Sequence, residues 1–177
     1  ATEETSSTLR PEGLLLVDSG GQYLEGTTDI TRTFALGPVT EEMKADFTRV
    51  CRSNMNLANV RFLYGCTGVN LDVLARQPLW EVNCDYKHGT GHGVGHILNV
   101  HEGPNGFHWG RTSYNTPFEE GMVTTDEPGI YIEGKYGIRL ENELICRKGE
   151  KNEFGQFMYF ENITLVPMDL DAIDPEQ

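Results

Sequence analysis

The chain has 177 residues, 38% of them hydrophobic and 23% charged, a composition suited to one globular domain with a buried core. A net charge of −13 argues against a nucleic-acid partner, which needs clustered Lys and Arg. No run approaches the ~18 apolar residues of a membrane span, so no membrane partner is expected either. The opening ATEETSST lacks the basic and apolar parts of a signal peptide. Cys51, Cys66, Cys84 and Cys146 form neither a CxxC pair nor a dense framework and read as reduced thiols of a cytoplasmic protein.

Leu14-Leu15-Leu16-Val17 predicts a short buried strand, ended by the turn residues Asp18-Ser19-Gly20-Gly21. A second strand, Asp29 to Phe34, is rich in Thr and Ile and is expected to pair with it antiparallel. Thr40 begins a helix with Glu41 and Glu42 at the favourable end of its dipole, and the apolar spacing from Met43 onward carries it to about Phe62. A second helix is predicted from Val69 to Ala75, extending toward Trp80, with Pro78 perturbing its end. Strands follow at Val94 to Val100, Met122 to Thr125, Tyr131 to Glu133, Ile138 to Cys146 and Phe157 to Val166. Strands, two helices and more strands make an α+β class.

The residues able to do chemistry are scattered. Asp18 and Asp29 flank a loop containing Gly20, Gly21 and Gly26, and each alone is as readily a turn-former as a ligand. His88-Gly89-Thr90-Gly91-His92-Gly93-Val94-Gly95-His96 carries four alternate glycines, so it is not the helical HExxH of zinc proteases, and it does not match GxGxxG. Glycines let backbone approach a ligand closely, and three histidines in that stretch, followed by His101, suggest one shared site. Glu127 precedes a forced Pro128-Gly129 turn. Arg139 and Glu141 are expected on one strand face, where a surface ion pair is the plainer explanation. As a set, these residues make physical sense. Carboxylates ~4 Å apart repel by on the order of 4 kcal/mol at an effective dielectric of 20. Such a cluster must protonate or bind cations. Four carboxylates and one imidazole suit two divalent ions, Mn²⁺, Co²⁺, Fe²⁺ or Zn²⁺, which can activate a shared water.

The stretches VDSGGQYLEGTTDITRTF, HGTGHGVGHILNVHEGP, DEPGIY, YGIRLENE and ENITLVPMDLDAIDP tie the set together. Across positions 14 to 174 the sequence resembles the creatinase and methionine aminopeptidase superfamily of M24 metallopeptidases, and within it the Xaa-Pro aminopeptidases most closely. The resemblance implies a pita-bread fold, an antiparallel curved sheet with two helices, of which residues 1–177 form a single partial catalytic domain. The family's upstream half and amino-terminal domain would precede Ala1. It implies that Asp18 binds one ion, that Asp29 and Glu141 bridge two, and that His92 and Glu127 bind the other. Mn²⁺ is the expected metal. Glu127 would also act as general base, His88 would line the substrate site, His101 would hydrogen-bond the substrate or the developing tetrahedral intermediate, and Arg139 would orient Asp18. Where relatives commonly have Ser, His96 could add an extra metal contact. The implied substrates are peptides with proline second, and a homo-oligomer would cover apolar surface left by a partial domain. Two rival readings are a prolidase-type dipeptidase and a non-catalytic pita-bread module that binds peptides.

Overall fold

The fold is that of a computed structural model, which describes residues 2–97, 99–110 and 115–176. Strands β1 (Leu14–Tyr23) and β2 (Gly26–Ala35) form an antiparallel hairpin in which Asp18 lies opposite Thr31 and Gly20 opposite Asp29. The expected turn at Asp18-Ser19-Gly20-Gly21 is therefore strand. The chain reverses instead at Leu24-Glu25, and glycine at position 20 serves close approach. A Cβ there would sit 2.7 Å from the carbonyl oxygen of Thr28.

Helix α1 (Glu41–Ala58) starts where expected, with the Thr40 hydroxyl accepting the Met43 N–H at 3.2 Å. It stops short of Phe62 because Arg61–Leu63 becomes strand β3, with Phe62 opposite Met158 of a later strand. Helix α2 (Gly68–Trp80) continues past Pro78 by two residues. Next come two-residue strands β4 (Gly91–His92) and β5 (Gly106–Phe107), paired with each other. Val94 to Val100 is not the expected strand among the described residues; Leu98 lies outside them. The chain loops there because the Gly95 N–H bonds the Asn99 carbonyl and the Glu102 N–H bonds the Gly93 carbonyl. A Cβ on either glycine would fall 2.0 Å from a backbone oxygen.

Strands β6 (Val123–Asp126), β7 (Gly129–Ile132), β8 (Tyr136–Arg139), β9 (Asn142–Asn152) and β10 (Gly155–Asn162) complete the fold. The main sheet has the order β3-β10-β9-β6, while β7 and β8 form a separate hairpin. Thus the single strand expected over Ile138 to Cys146 is two strands. Between them the Leu140 N–H bonds the Pro128 carbonyl, and the Glu141 N–H bonds the Thr31 carbonyl at 3.0 Å. That break swings Glu141 onto the β1–β2 hairpin. The strand expected over Phe157 to Val166 begins slightly earlier and ends at Asn162.

Two apolar clusters hold the elements together. Leu57, Phe62, Phe107, Phe118 and Phe160 pack between the helices and the main sheet. Phe47, Val50, Leu79, Ile130 and Ile138 pack α1 and α2 against the β7–β8 hairpin. Burial of this kind stabilises each large side chain by ~1.5–3 kcal/mol before entropy is counted. The polar groups named above lie where the two strand hairpins, β4 and β6 meet.

Candidate metal centre

Side chains opposite each other in an antiparallel pair project to the same face, and those two residues apart in a strand do so as well. Asp18, opposite Thr31, and Asp29, opposite Gly20, therefore share one face of the β1–β2 hairpin. His92 enters from β4, where a Cβ on Gly91 would lie 1.8 Å from the Thr125 carbonyl oxygen. Only glycine lets β4 lie this close to β6, and the His92 N–H then donates to the Thr125 hydroxyl at 3.0 Å. Glu127 leaves β6 with its N–H on the Thr90 carbonyl at 2.7 Å.

These placements bring all five expected ligands together. Donor atoms of Asp18, Asp29 and Glu141 lie within 4.8 Å of one another, and so do those of His92, Glu127 and Glu141. The Nε2 of His92 is 3.4 Å from Asp29 Oδ2 and 3.4 Å from Glu127 Oε1. Its Nδ1 lies 3.0 Å from the Gly93 carbonyl, which only accepts, so Nδ1 carries a proton and Nε2 faces the carboxylates. His101 joins Asp29 and His92 in a third group, its ring centroid 4.2 Å from that of His92.

Without cations the cluster is strained electrostatically. Burial pushes Glu141 up to about 8, helped by the neighbouring Glu127 charge. Burial likewise pushes Glu127 up to about 7, against the pull of His92 and Arg139. Burial lowers His92, but its hydrogen bonds to Asp29 and the Gly93 carbonyl and the Glu127 charge outweigh this, so it is raised overall. His88 is lowered, first by burial and then by the cations Arg139 and Arg76, although its bond to the Gly89 carbonyl opposes the shift. Carboxyls held this high are poor anions alone and good ligands for cations.

Around the donors, Arg139 reaches Asp18 through Nη2 at 2.5 Å and lies 3.8 Å from Glu127. It does not form the surface pair with Glu141 that the strand alternation suggested, because the chain breaks between them. His88, His101, Glu127 and Arg139 border one cavity of about 500 Å³. His96 belongs to none of the three donor groups found among the described residues and faces a separate cavity with Glu25 and Glu102.

Several contributors escaped the sequence reading. Thr31 donates to Glu141 Oε2 at 2.7 Å and accepts from Arg139 at 3.3 Å. Being two residues from Asp29 on a strand, it was accessible to a period-two argument. Tyr131 sits 2.9 Å from His88 Nε2 and accepts from Arg139 at 3.1 Å, and nothing in the spacing pointed to it. Glu143 accepts the Asp29 N–H at 2.7 Å. Removing such a supporting contact typically costs 10–100-fold in metal affinity. Thr31→Val, nearly isosteric, is expected to weaken Mn²⁺ binding by ~10-fold while the chain stays folded. Calorimetric titration of wild type and variant decides; equal affinities would remove Thr31 from the site.

The α+β fold gathers four carboxylates and one imidazole into two overlapping donor groups, each of which could hold a metal ion. The sequence pattern of metallopeptidase family M24 matches residues 1–148, and the chain belongs to that family. Its fold is accordingly the pita-bread fold. It is 44% identical over 177 residues to Aminopeptidase P1 of Arabidopsis thaliana, covering 98% of this chain and 27% of that protein. X-prolyl aminopeptidase of Caenorhabditis elegans, described as a cytosolic enzyme with a di-nuclear active site, superposes with a TM-score of 0.91 at 38% identity. That match covers 99% of this chain and 28% of the other. Xaa-Pro dipeptidase of Bacillus anthracis superposes at 0.71 with 33% identity, covering 89% and 40%. The chain spans about a quarter of the length of the curated relatives it matches.

Proposed function

We propose that this chain carries the metal centre of an aminopeptidase that removes the residue before a penultimate proline. The observation that carries the reading is Glu141, whose carboxylate belongs to both donor groups and so lies where it could join two ions. Asp18 would hold one ion, Asp29 and Glu141 both, and His92 with Glu127 the other. Oxygen-rich donors favour Mn²⁺, with Zn²⁺, Co²⁺ and Fe²⁺ compatible. Bound there, two divalent ions supply Lewis acidity and an activated water.

The protein's own groups do the remaining work. Glu127, which borders the cavity, would take the proton of the attacking water as general base. His88 binds the Gly89 carbonyl through Nδ1 at 2.7 Å, so its Nε2 is the unprotonated nitrogen turned to Tyr131 at the cavity wall. His101, on the same cavity wall, would donate to a substrate carbonyl and stabilise its developing negative charge. Proline lacks an N–H and has a fixed φ, so a pocket shaped for the ring need provide no acceptor at that amide. Four free cysteines and the cytosolic description of the C. elegans relative support a cytoplasmic location.

The test is a peptide panel with the Mn²⁺-loaded chain. Release of the first residue from Xaa-Pro-Xaa is expected at least ~10-fold faster than from Xaa-Ala-Xaa. Cleavage confined to Xaa-Pro dipeptides would assign the dipeptidase reading instead. Peptide binding without cleavage would assign the non-catalytic one.

A further inference from the structure

One buried cation has no place in the chemistry above. Arg76, on the inner face of α2, is 1% exposed, and its guanidinium meets four acceptors. Nε donates to Asp72 at 2.6 Å and Nη1 to Asp85 at 2.7 Å. Nη1 also donates to the Tyr86 carbonyl and Nη2 to the His88 carbonyl, both at 2.8 Å. Its central carbon stands 4.0 Å from the Tyr86 ring centroid, a cation–π distance.

A buried Arg–Asp pair within one helix is by itself an ordinary structural feature. The direction of the other bonds sets this one apart. Both carbonyls lie outside α2, in the segment that leads into the site, and one of them is that of His88. The Tyr86 ring packs against the His88 imidazole with centroids 4.8 Å apart, and the Tyr86 hydroxyl bonds the Thr90 hydroxyl at 2.5 Å. Backbone and ring of His88 are thus both fixed by groups that Arg76 holds.

We propose that Arg76 is a positioning residue that sets the orientation of His88 at the substrate cavity. The role rests on the aminopeptidase reading for its catalytic consequence, but not for its structural one. Lysine cannot substitute. Its three donors radiate from one atom, whereas the four acceptors here surround a planar fork. It would also leave Asp72, which is fully buried, with a poorer partner.

The experiment compares wild type with Arg76→Lys, using long-range ¹H–¹⁵N spectra of the diamagnetic Zn²⁺-loaded chain. In the wild type, His88 is expected as the single Nδ1–H tautomer. In the variant, with circular dichroism and metal stoichiometry unchanged, its ring signals shift toward a tautomer mixture. The kcat for an Xaa-Pro peptide then falls by up to ~100-fold, as a misplacement near 1 Å can cause, while KM changes less. Wild-type His88 signals in a folded Arg76→Lys chain overturn the proposal. Should that variant not fold, Asp85→Ala loosens the same guanidinium from its half-exposed side, and there an unchanged His88 overturns it equally. Absence of turnover in the wild type would instead count against the aminopeptidase reading and leave the spectroscopic result valid.

Discussion

Glu141→Gln is expected to abolish metal loading and turnover while making the metal-free chain more stable at alkaline pH. The loss follows from geometry: this carboxylate contributes a donor atom to both groups, so neutralising it weakens both ion sites. Affinity should fall by more than the ~10–100-fold typical of a group that merely supports a ligand. Bound metal should drop below one ion per chain by elemental analysis. The gain follows from burial. Glu141 is 1% exposed and titrates at about 8 instead of 4.5. Below pH 4.5 it is neutral in folded and unfolded chains alike and costs nothing. As pH rises toward 8, the unfolded chain gives up the proton while the folded chain keeps it, so stability is progressively lost. Glutamine cannot ionise, so the variant escapes a penalty on the order of a few kcal/mol. In EDTA, its melting temperature should match wild type below pH 4.5 and exceed it near pH 9. With Mn²⁺ the order reverses, because only wild type gains stability from binding. A variant that still takes up two ions would refute the bridging position.

Much of this site was legible only as a list of residue types. The apolar spacing of α1 and the Thr40 cap were read from local rules, because a helix contacts itself within four residues. The chain break at Leu140-Glu141 was not, since it depends on hydrogen bonds to Pro128 and Thr31, the latter more than a hundred positions away. That break turns an apparent surface pair, Arg139 with Glu141, into two residues with different partners. Gly20 misled for a related reason. Glycine marks turns, but it also marks places where two backbones nearly touch, and only the partner strand distinguishes them. Gly95 repeats the lesson in reverse: it lies within the strand expected from Val94 to Val100, whereas close carbonyls at Gly93 and Gly95 fold the chain into a loop. Spacing along the chain likewise says nothing of convergence between positions 18 and 141. For that, the family's ordered ligand set stood in for the missing distances.

The same carboxyl groups make metal binding strongly dependent on pH. Glu141 at about 8 and Glu127 at about 7 both hold protons at pH 6, and a divalent ion must displace them. Below pH 7 the Mn²⁺ affinity is therefore expected to climb by up to ~100-fold per unit, with two protons released. Between 7 and 8 only Glu141 still needs to lose its proton, and the slope falls to ~10-fold per unit. Above 8 the curve flattens. His92, raised overall by its hydrogen bonds and the carboxylates around it, steepens the acidic side, since only neutral imidazole ligates. Titration calorimetry in buffers of differing ionisation heat counts the protons directly. Affinity that is flat from pH 6 to 8, with no proton released, would mean that the ions bind elsewhere than at these carboxylates. If the slope is as described, the acidic limb of the peptidase profile should disappear at saturating Mn²⁺, because excess metal pulls the protons off. A limb that persists at saturation would have to arise from a group outside the cluster. His88, lowered first by burial and lying apart from the ligands, is the group positioned to produce it.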